Sequence, residues 1–194
     1  MGKIIVSTNV TLDGYVQDPD GLEDSMLGGW FNQYGGADLA VWAKVEFEEA
    51  QHTDAFLLGR RSDEWFAARW ASRSDEWADK LNSLPKYVIS STLEDPKWTN
   101  ATVLGGDPVE EVRNLKEHLD GEIVVYASYQ LVQTLIEHDM VDEFRLFVFP
   151  VLLGGGERLF GETTDKTALH LIKTNTIGEG LVFVNYEVVR SDSV

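Results

Sequence analysis

The chain has 194 residues, 43% of them hydrophobic, which is enough to bury a core and short enough for one domain over residues 1–194. Its formal net charge of −17, from 33 acidic against 16 basic residues, repels nucleic acid and anionic membranes, so an anionic ligand needs a local basic site. The absence of cysteine excludes disulfides, thiolate nucleophiles and cysteine-held metals, and His52, His118, His138 and His170 lack metal-ligand spacing.

MGKIIVSTNV has too short an apolar run for a signal peptide, and no later stretch reaches the roughly 18 apolar residues of a membrane span. A cytoplasmic protein is the expectation. Lys3 to Thr8 reads as a first buried strand. The long stretch from Thr11 to Gly36, with Asp-Gly and Pro-Asp-Gly turns and two Gly-Gly pairs, reads as a lid or ligand wall. Within it, Asp13 of TLDG is either a turn residue or a group that orients or protonates a substrate. Trp30 is a loop aromatic suited to stacking on a flat ring. From Asp38 to about Ala50 the spacing predicts a helix with Ala40, Ala43, Phe47 and Ala50 on its inward face.

DAFLLG, KYVISS and ATVLGG read as three more buried strands, each ending in small residues that let backbone approach a ligand. Asp107 as cap, Pro108 at the first helical position and Gly121 at the close define a helix. EIVVYA is a fifth strand, and a helix capped by Ser128 follows, with Leu131, Val132, Leu135 and Ile136 inward. From Glu143 the pattern changes to FRLFVFP and then two strands joined by Gly178-Glu179-Gly180, a hairpin signal. The expectation is an α/β fold, with a mixed, mostly parallel sheet, antiparallel C-terminal strands and helices on both faces.

The pentapeptide RSDEW occurs twice, at Arg61 to Trp65 and at Arg73 to Trp77. The first copy follows a strand directly, so Gly59, Arg60, Arg61 and Ser62 stand where a strand ends and a helix begins, a setting that favours phosphate. The second has no strand before it, and Ser74 reads as an ordinary helix cap. Ser90, Ser91 and Thr92 end another strand in hydroxyls, read either as turn chemistry or as a ribose or phosphate contact. Val125 to Ser128 forms a third strand-to-helix junction. GGGERLF fails the dinucleotide fingerprint, because Leu159 stands at the third glycine position and the strand before it reads as antiparallel.

The order of VSTNVTLDG, FLLGRRSDEW, KYVISSTL and VYASYQLVQTLIEHDMVDEFRLFVFPVLLGGGERLF resembles the dihydrofolate-reductase-like family that includes the C-terminal reductase domain of riboflavin-biosynthesis deaminase-reductases. The resemblance covers nearly the whole chain. It implies a three-layer dihydrofolate-reductase-like fold, NADPH as cofactor, a homodimer, and hydride transfer to a small pterin-like or pyrimidine-like substrate. The family's G-R-x-[ST] element falls on Gly59, Arg60 and Ser62, beside Arg61, and its hydroxyl cluster on Ser90, Ser91 and Thr92; these would hold the adenosine phosphates. Its small-residue turn, often Gly-Gly or Gly-Ser, falls on Ala127 and Ser128, where the pyrophosphate would lie. Thr8, Asn9 and Asp13 would line the nicotinamide and substrate end.

Ala127 departs from the usual glycine at a turn that calls for close approach or positive φ. The helix from Asp38 offers Glu46, Glu48 and Glu49 as acids with no means of choosing among them. Both features leave open an alternative, a non-catalytic nucleotide-binding homodimer on the same fold. The zinc deaminase half has no counterpart in these residues. FRLFVF is an apolar strand suited to a dimer interface.

Overall fold

The structure, a computed structural model, describes residues 1–161 and 166–190. Its sheet is built around β1 (Lys3–Thr11), whose Ile4 and Val6 point to one face and Ile5 and Ser7 to the other, the period of two of any strand. On one side β1 pairs in parallel with β5 (Glu122–Tyr126), and β2 (Ala55–Gly59), β3 (Lys86–Ile89) and β4 (Ala101–Leu104) extend the parallel sheet outward. On the other side lie β6 (Glu143–Phe149), β8 (Leu181–Val189) and, at the edge, β7 (Ala168–Ile177). The full order is β4-β3-β2-β5-β1-β6-β8-β7.

The sheet is mixed and mostly parallel, as the sequence predicts, with one correction. β6 runs parallel to β1, and the direction reverses only at β8, which pairs antiparallel with both β6 and β7. That placement also moves the expected interface strand inside. Phe144, Phe147 and Phe149 are buried because β6 has a neighbour on each side, whereas on the edge strand β7 Leu169, Leu171 and Ile172 are exposed.

Helices cover both faces. α1 (Trp30–Gly35) sets Trp30 edge-on against Phe149 at 5.2 Å between ring centres. α2 (Leu39–His52), α3 (Arg60–Trp70) and α4 (Glu76–Ser83) bring Ala50, Phe66 and Leu81 against Ile5, Phe56, Leu58 and Val124. Across the sheet, α5 (Pro108–His118) and α6 (Tyr129–Glu137) bury Val112, Leu115, Leu131, Val132 and Leu135 against Ile4, Val6 and Val125. Each such aliphatic burial contributes about 1.5–3 kcal/mol. Asp107 caps α5 by accepting from the amides of Val109 and Glu110, which satisfies two otherwise free donors. Among the described residues, no helix is long and apolar enough to cross a membrane.

One helix is rotated from the expected setting. Ala40 on α2 is exposed, and the buried positions are Glu46, Glu49 and Ala50. Of the two inward carboxylates, Glu49 meets a cationic partner on the sheet, Arg145.

Candidate active site

A cavity of about 980 Å³ opens over the carboxyl ends of the parallel strands, with Thr8 and Asn9 from β1, Gly59 from β2, Ile89 from β3 and Tyr126 from β5 on its wall. Ligands of open α/β sheets bind at this edge. The segment before α1 closes one side through Asp18, Pro19, Asp20 and Glu23, as expected of a ligand wall. It is fastened to α3, since Asp20 accepts from Trp65 Nε1 and Arg69 Nη2, each at 2.9 Å.

At one end two helices begin side by side. α3 starts straight after Gly59 and α6 straight after Ser128, and neither has a side-chain cap. Their first N–H groups are thus left for another acceptor. The two starts are tied together: Ser128 Oγ accepts from the Gly59 amide at 3.0 Å, Ser62 Oγ accepts from the Ser128 amide at 3.1 Å, and the two hydroxyls are 2.8 Å apart. Arg60 and Arg61 are exposed on the wall and form no ion pair among the described residues. The turn feeding α6 holds Ala127 at φ 49° and Ser128 at φ 53°, left-handed values that cost an L-residue about 1–2 kcal/mol. The positive φ expected of this junction is present although Ala127 is not glycine.

The other end is acidic and aromatic. Ser7 and Tyr126 are register partners on neighbouring strands and face α2, which carries Glu46 and Glu49 inward. Glu49 lies 3.5 Å from Arg145, which also holds Glu122 through two contacts at 2.8 and 3.0 Å and Glu143 at 2.7 Å. Glu48 is exposed, Glu49 is paired behind the wall, and Glu46 is the acid of α2 that lines the cavity. Burial pushes the Glu46 carboxyl well above the usual carboxylate range, and the neighbouring Glu49 pushes it further. Burial also raises Glu49, although Arg145 opposes it. Phe31, Trp42, Trp70 and Trp77 complete the wall, with Trp42 Nε1 donating to Asn9 Oδ1 at 2.8 Å.

Thr8, Asn9, Gly59, Arg60, Arg61, Ser62, Ala127 and Ser128 therefore come together around one cavity, and three other expectations need correcting. Asp13 stands away from the wall and is a loop staple, accepting from Thr11 Oγ1 at 2.6 Å and from the amides of Leu153 and Gly154 at 3.1 and 2.8 Å. Burial pushes its carboxyl up, but these bonds outweigh burial and hold it below the usual range, the wrong direction for a proton donor. Trp30 is 1% exposed, donates to the Gln17 carbonyl and packs in the core, so it has no face free for stacking. Ser90, Ser91 and Thr92 lie beyond the wall, where Ser90 Oγ accepts from the amides of Thr92 and Leu93 in a turn of its own.

The repeated pentapeptide occupies two unlike settings. In the first copy Ser62 belongs to the knot and Asp63, fully buried, accepts from the amides of Lys97 and Trp98. In the second, Asp75 rather than Ser74 caps α4, accepting from the Ala78 amide, while Arg73 stacks 4.1 Å over the Trp70 ring. Sequence reasoning missed Tyr126, Trp42 and Trp77 as wall residues because each reads as ordinary core, and only the strand register and helix rotation turn them toward the cavity.

The RibD C-terminal domain family matches residues 2–183. The chain belongs to that family. It is 29% identical over 189 residues to the uncharacterized protein YyaP of Bacillus subtilis (strain 168), covering 95% of this chain and 94% of that one. Among solved structures, a putative riboflavin biosynthesis protein from Shewanella sp. PV-4 is 22% identical with a TM-score of 0.70, covering 97% of this chain and 99% of the other. Dihydrofolate reductase from Enterococcus faecalis, complexed with NADP(H) and RAB-propyl, is 12% identical with a TM-score of 0.56, covering 96% of each chain. Both likenesses are to the fold, which is dihydrofolate-reductase-like.

Proposed function

We propose that the protein is an NADPH-dependent reductase that delivers a hydride to a small conjugated substrate of pterin-like or pyrimidine-like type. The residues fit the cofactor: two uncapped helix starts and two arginines without ion-pair partners face one end of the cavity. The observation that carries the reading is that the same cavity reaches a buried carboxyl, Glu46, which burial shifts toward its protonated form.

When bound, the reduced dinucleotide supplies the hydride. Arg60, Arg61 and the amides that open α3 and α6 hold anionic groups, with Ser62 and Ser128 fixing the distance between the two helix starts. Asn9, locked by Trp42, and the segment Asp18 to Glu23 shape the space and exclude water. Glu46 holds the proton that balances hydride addition, and the carboxylate left behind is reprotonated from solvent. The reading includes a homodimer, for which the exposed apolar strand β7 is the suitable surface, and a cytoplasmic location.

Titration of the purified protein with NADPH and NADH, followed by tryptophan fluorescence, tests the cofactor. Micromolar binding of NADPH with weaker NADH is expected, and binding of neither would overturn the reading.

A further inference from the structure

Resting on that reading of the cavity, we propose that its acid end takes a flat aromatic substrate that carries no phosphate. Three arginines line the cavity, and their commitments differ. Arg69 is occupied, with Nη2 on Asp20 at 2.9 Å and its guanidinium 3.8 Å over the Trp65 ring. Arg60 and Arg61 open α3, at the end already assigned to the dinucleotide. Arg145 sits behind Glu49, shared among three carboxylates and outside the wall.

No uncommitted cation therefore faces Glu46 among the described residues. A phosphate dianion at this end would lose its hydration and find no guanidinium or ammonium to replace the water. A ribose-phosphate substrate is selected against here, although the neighbouring dinucleotide end has what a phosphate needs.

The walls specify what does fit. Phe31 and Trp42 meet edge-on at 4.9 Å, Trp42 and Trp77 lie 6.1 Å apart, and Trp77 and Trp70 meet edge-on at 4.9 Å, a continuous run of rings along one side. Tyr126 and Phe66 line the same cavity, so a planar ring meets further aromatic side chains there. The polar groups such a ring would meet include the Glu46 carboxyl and the Tyr126 hydroxyl, the latter buried without a hydrogen-bond partner among the described residues.

The test uses the full chain and a matched pair of probes, 1-naphthol and 1-naphthyl phosphate, titrated by calorimetry with and without saturating NADP⁺. Both probes are measured on the wild type and on Arg60→Ala/Arg61→Ala, which removes the phosphate-binding end. The expected result with NADP⁺ present is that 1-naphthol binds both proteins alike and at least about tenfold more tightly than its phosphate. Trp42→Ala and Trp77→Ala should each weaken 1-naphthol; if these variants fail to fold, competition between the two probes for the wild type separates the same two outcomes. Naphthyl phosphate binding the Arg60→Ala/Arg61→Ala variant as tightly as 1-naphthol, or no binding of 1-naphthol, would overturn the proposal. Failure of NADP⁺ to bind would overturn the dinucleotide reading alone, because the 1-naphthol titrations do not depend on it.

Discussion

Ser62 and Ser128, 66 positions apart, meet hydroxyl to hydroxyl at 2.8 Å and tie the start of α3 to the start of α6. The tie holds the backbone donors of two helix starts side by side, a setting that favours an anionic ligand. Ser62→Ala leaves the Ser128 amide without its acceptor and should cost about 1–2 kcal/mol of stability in urea denaturation, with weaker NADPH binding. An unchanged urea midpoint and unchanged affinity would show that the knot positions nothing.

Ala127 at φ 49° is a strained residue beside that knot. Its side chain is exposed, so little packing is lost when it is removed. Ala127→Gly should raise stability by up to about 1 kcal/mol, the left-handed strain relieved less the extra freedom glycine gains when unfolded. NADPH affinity should hold or tighten. Ala127→Val should move both quantities the other way, and thermal melts of the two variants check the sign.

The Glu46 carboxyl gives the protein a pH signature. It is raised well above its unfolded value of 4.5, and it faces Glu49 and the Tyr126 hydroxyl, with Arg145 beyond Glu49. A carboxyl raised by folding keeps its proton where the unfolded chain has released it. Its contribution is therefore full below about pH 4.5 and is lost as pH climbs through the folded value. Glu46→Gln should be more stable than the wild type at pH 8, and the difference should shrink toward pH 4.5. The same substitution should slow turnover by about 100-fold or more. A stability difference that stays flat with pH would mean that Glu46 is not held protonated by the fold.

These sites differ in how far the sequence exposes them, and the difference is one of range. Asp107 and Pro108 announce α5 because capping is decided within four residues, and the hairpin at Gly178 to Gly180 is equally local. Gly59 to Ser62 is legible because a strand runs directly into a helix. Glu46 is not, because an acid on an amphipathic helix reads as solvent-facing. Its neighbour Glu49 is turned inward onto Arg145, 96 residues away, and Glu46 lies on the same inward face. Asp13 misleads for the same reason, since its amide partners at Leu153 and Gly154 lie 140 and 141 positions away. Lys86 reads as the opening of a strand, but its buried amine collects the carbonyls of Leu81, Asn82 and Leu84 at the end of α4. No pattern of spacing reports such a contact.

The edge strand β7 carries the prediction for assembly. Every residue of it but Ile177 is exposed, Leu169, Leu171 and Ile172 at between 42 and 49%, and a bulge falls between Leu171 and Lys173. A long apolar edge left open invites pairing with another strand. The protein should sediment as a homodimer, and Leu171→Lys with Ile172→Lys should convert it to a monomer that keeps its circular dichroism spectrum. A wild-type monomer at micromolar concentration would rule this surface out as a stable interface.

The two copies of RSDEW supply an internal control for the anion site. Arg61 stands on the cavity wall at the first turn of α3, whereas Arg73 is paired with Asp75 at 2.8 Å and stacked on Trp70, outside the wall. Arg60→Ala/Arg61→Ala removes the two cavity arginines that form no ion pair among the described residues and should weaken NADPH binding by about tenfold or more, since a charge-assisted hydrogen bond contributes about 1.5–3 kcal/mol. Arg73→Ala should leave NADPH affinity unchanged and cost under about 1 kcal/mol of stability, as expected for an exposed pair. The salt dependence should separate them as well: binding by the wild type should weaken steeply as ionic strength rises, and binding by the double variant should not. Equal losses from the two copies would mean that the letters, and not the strand end beneath the first of them, set the affinity.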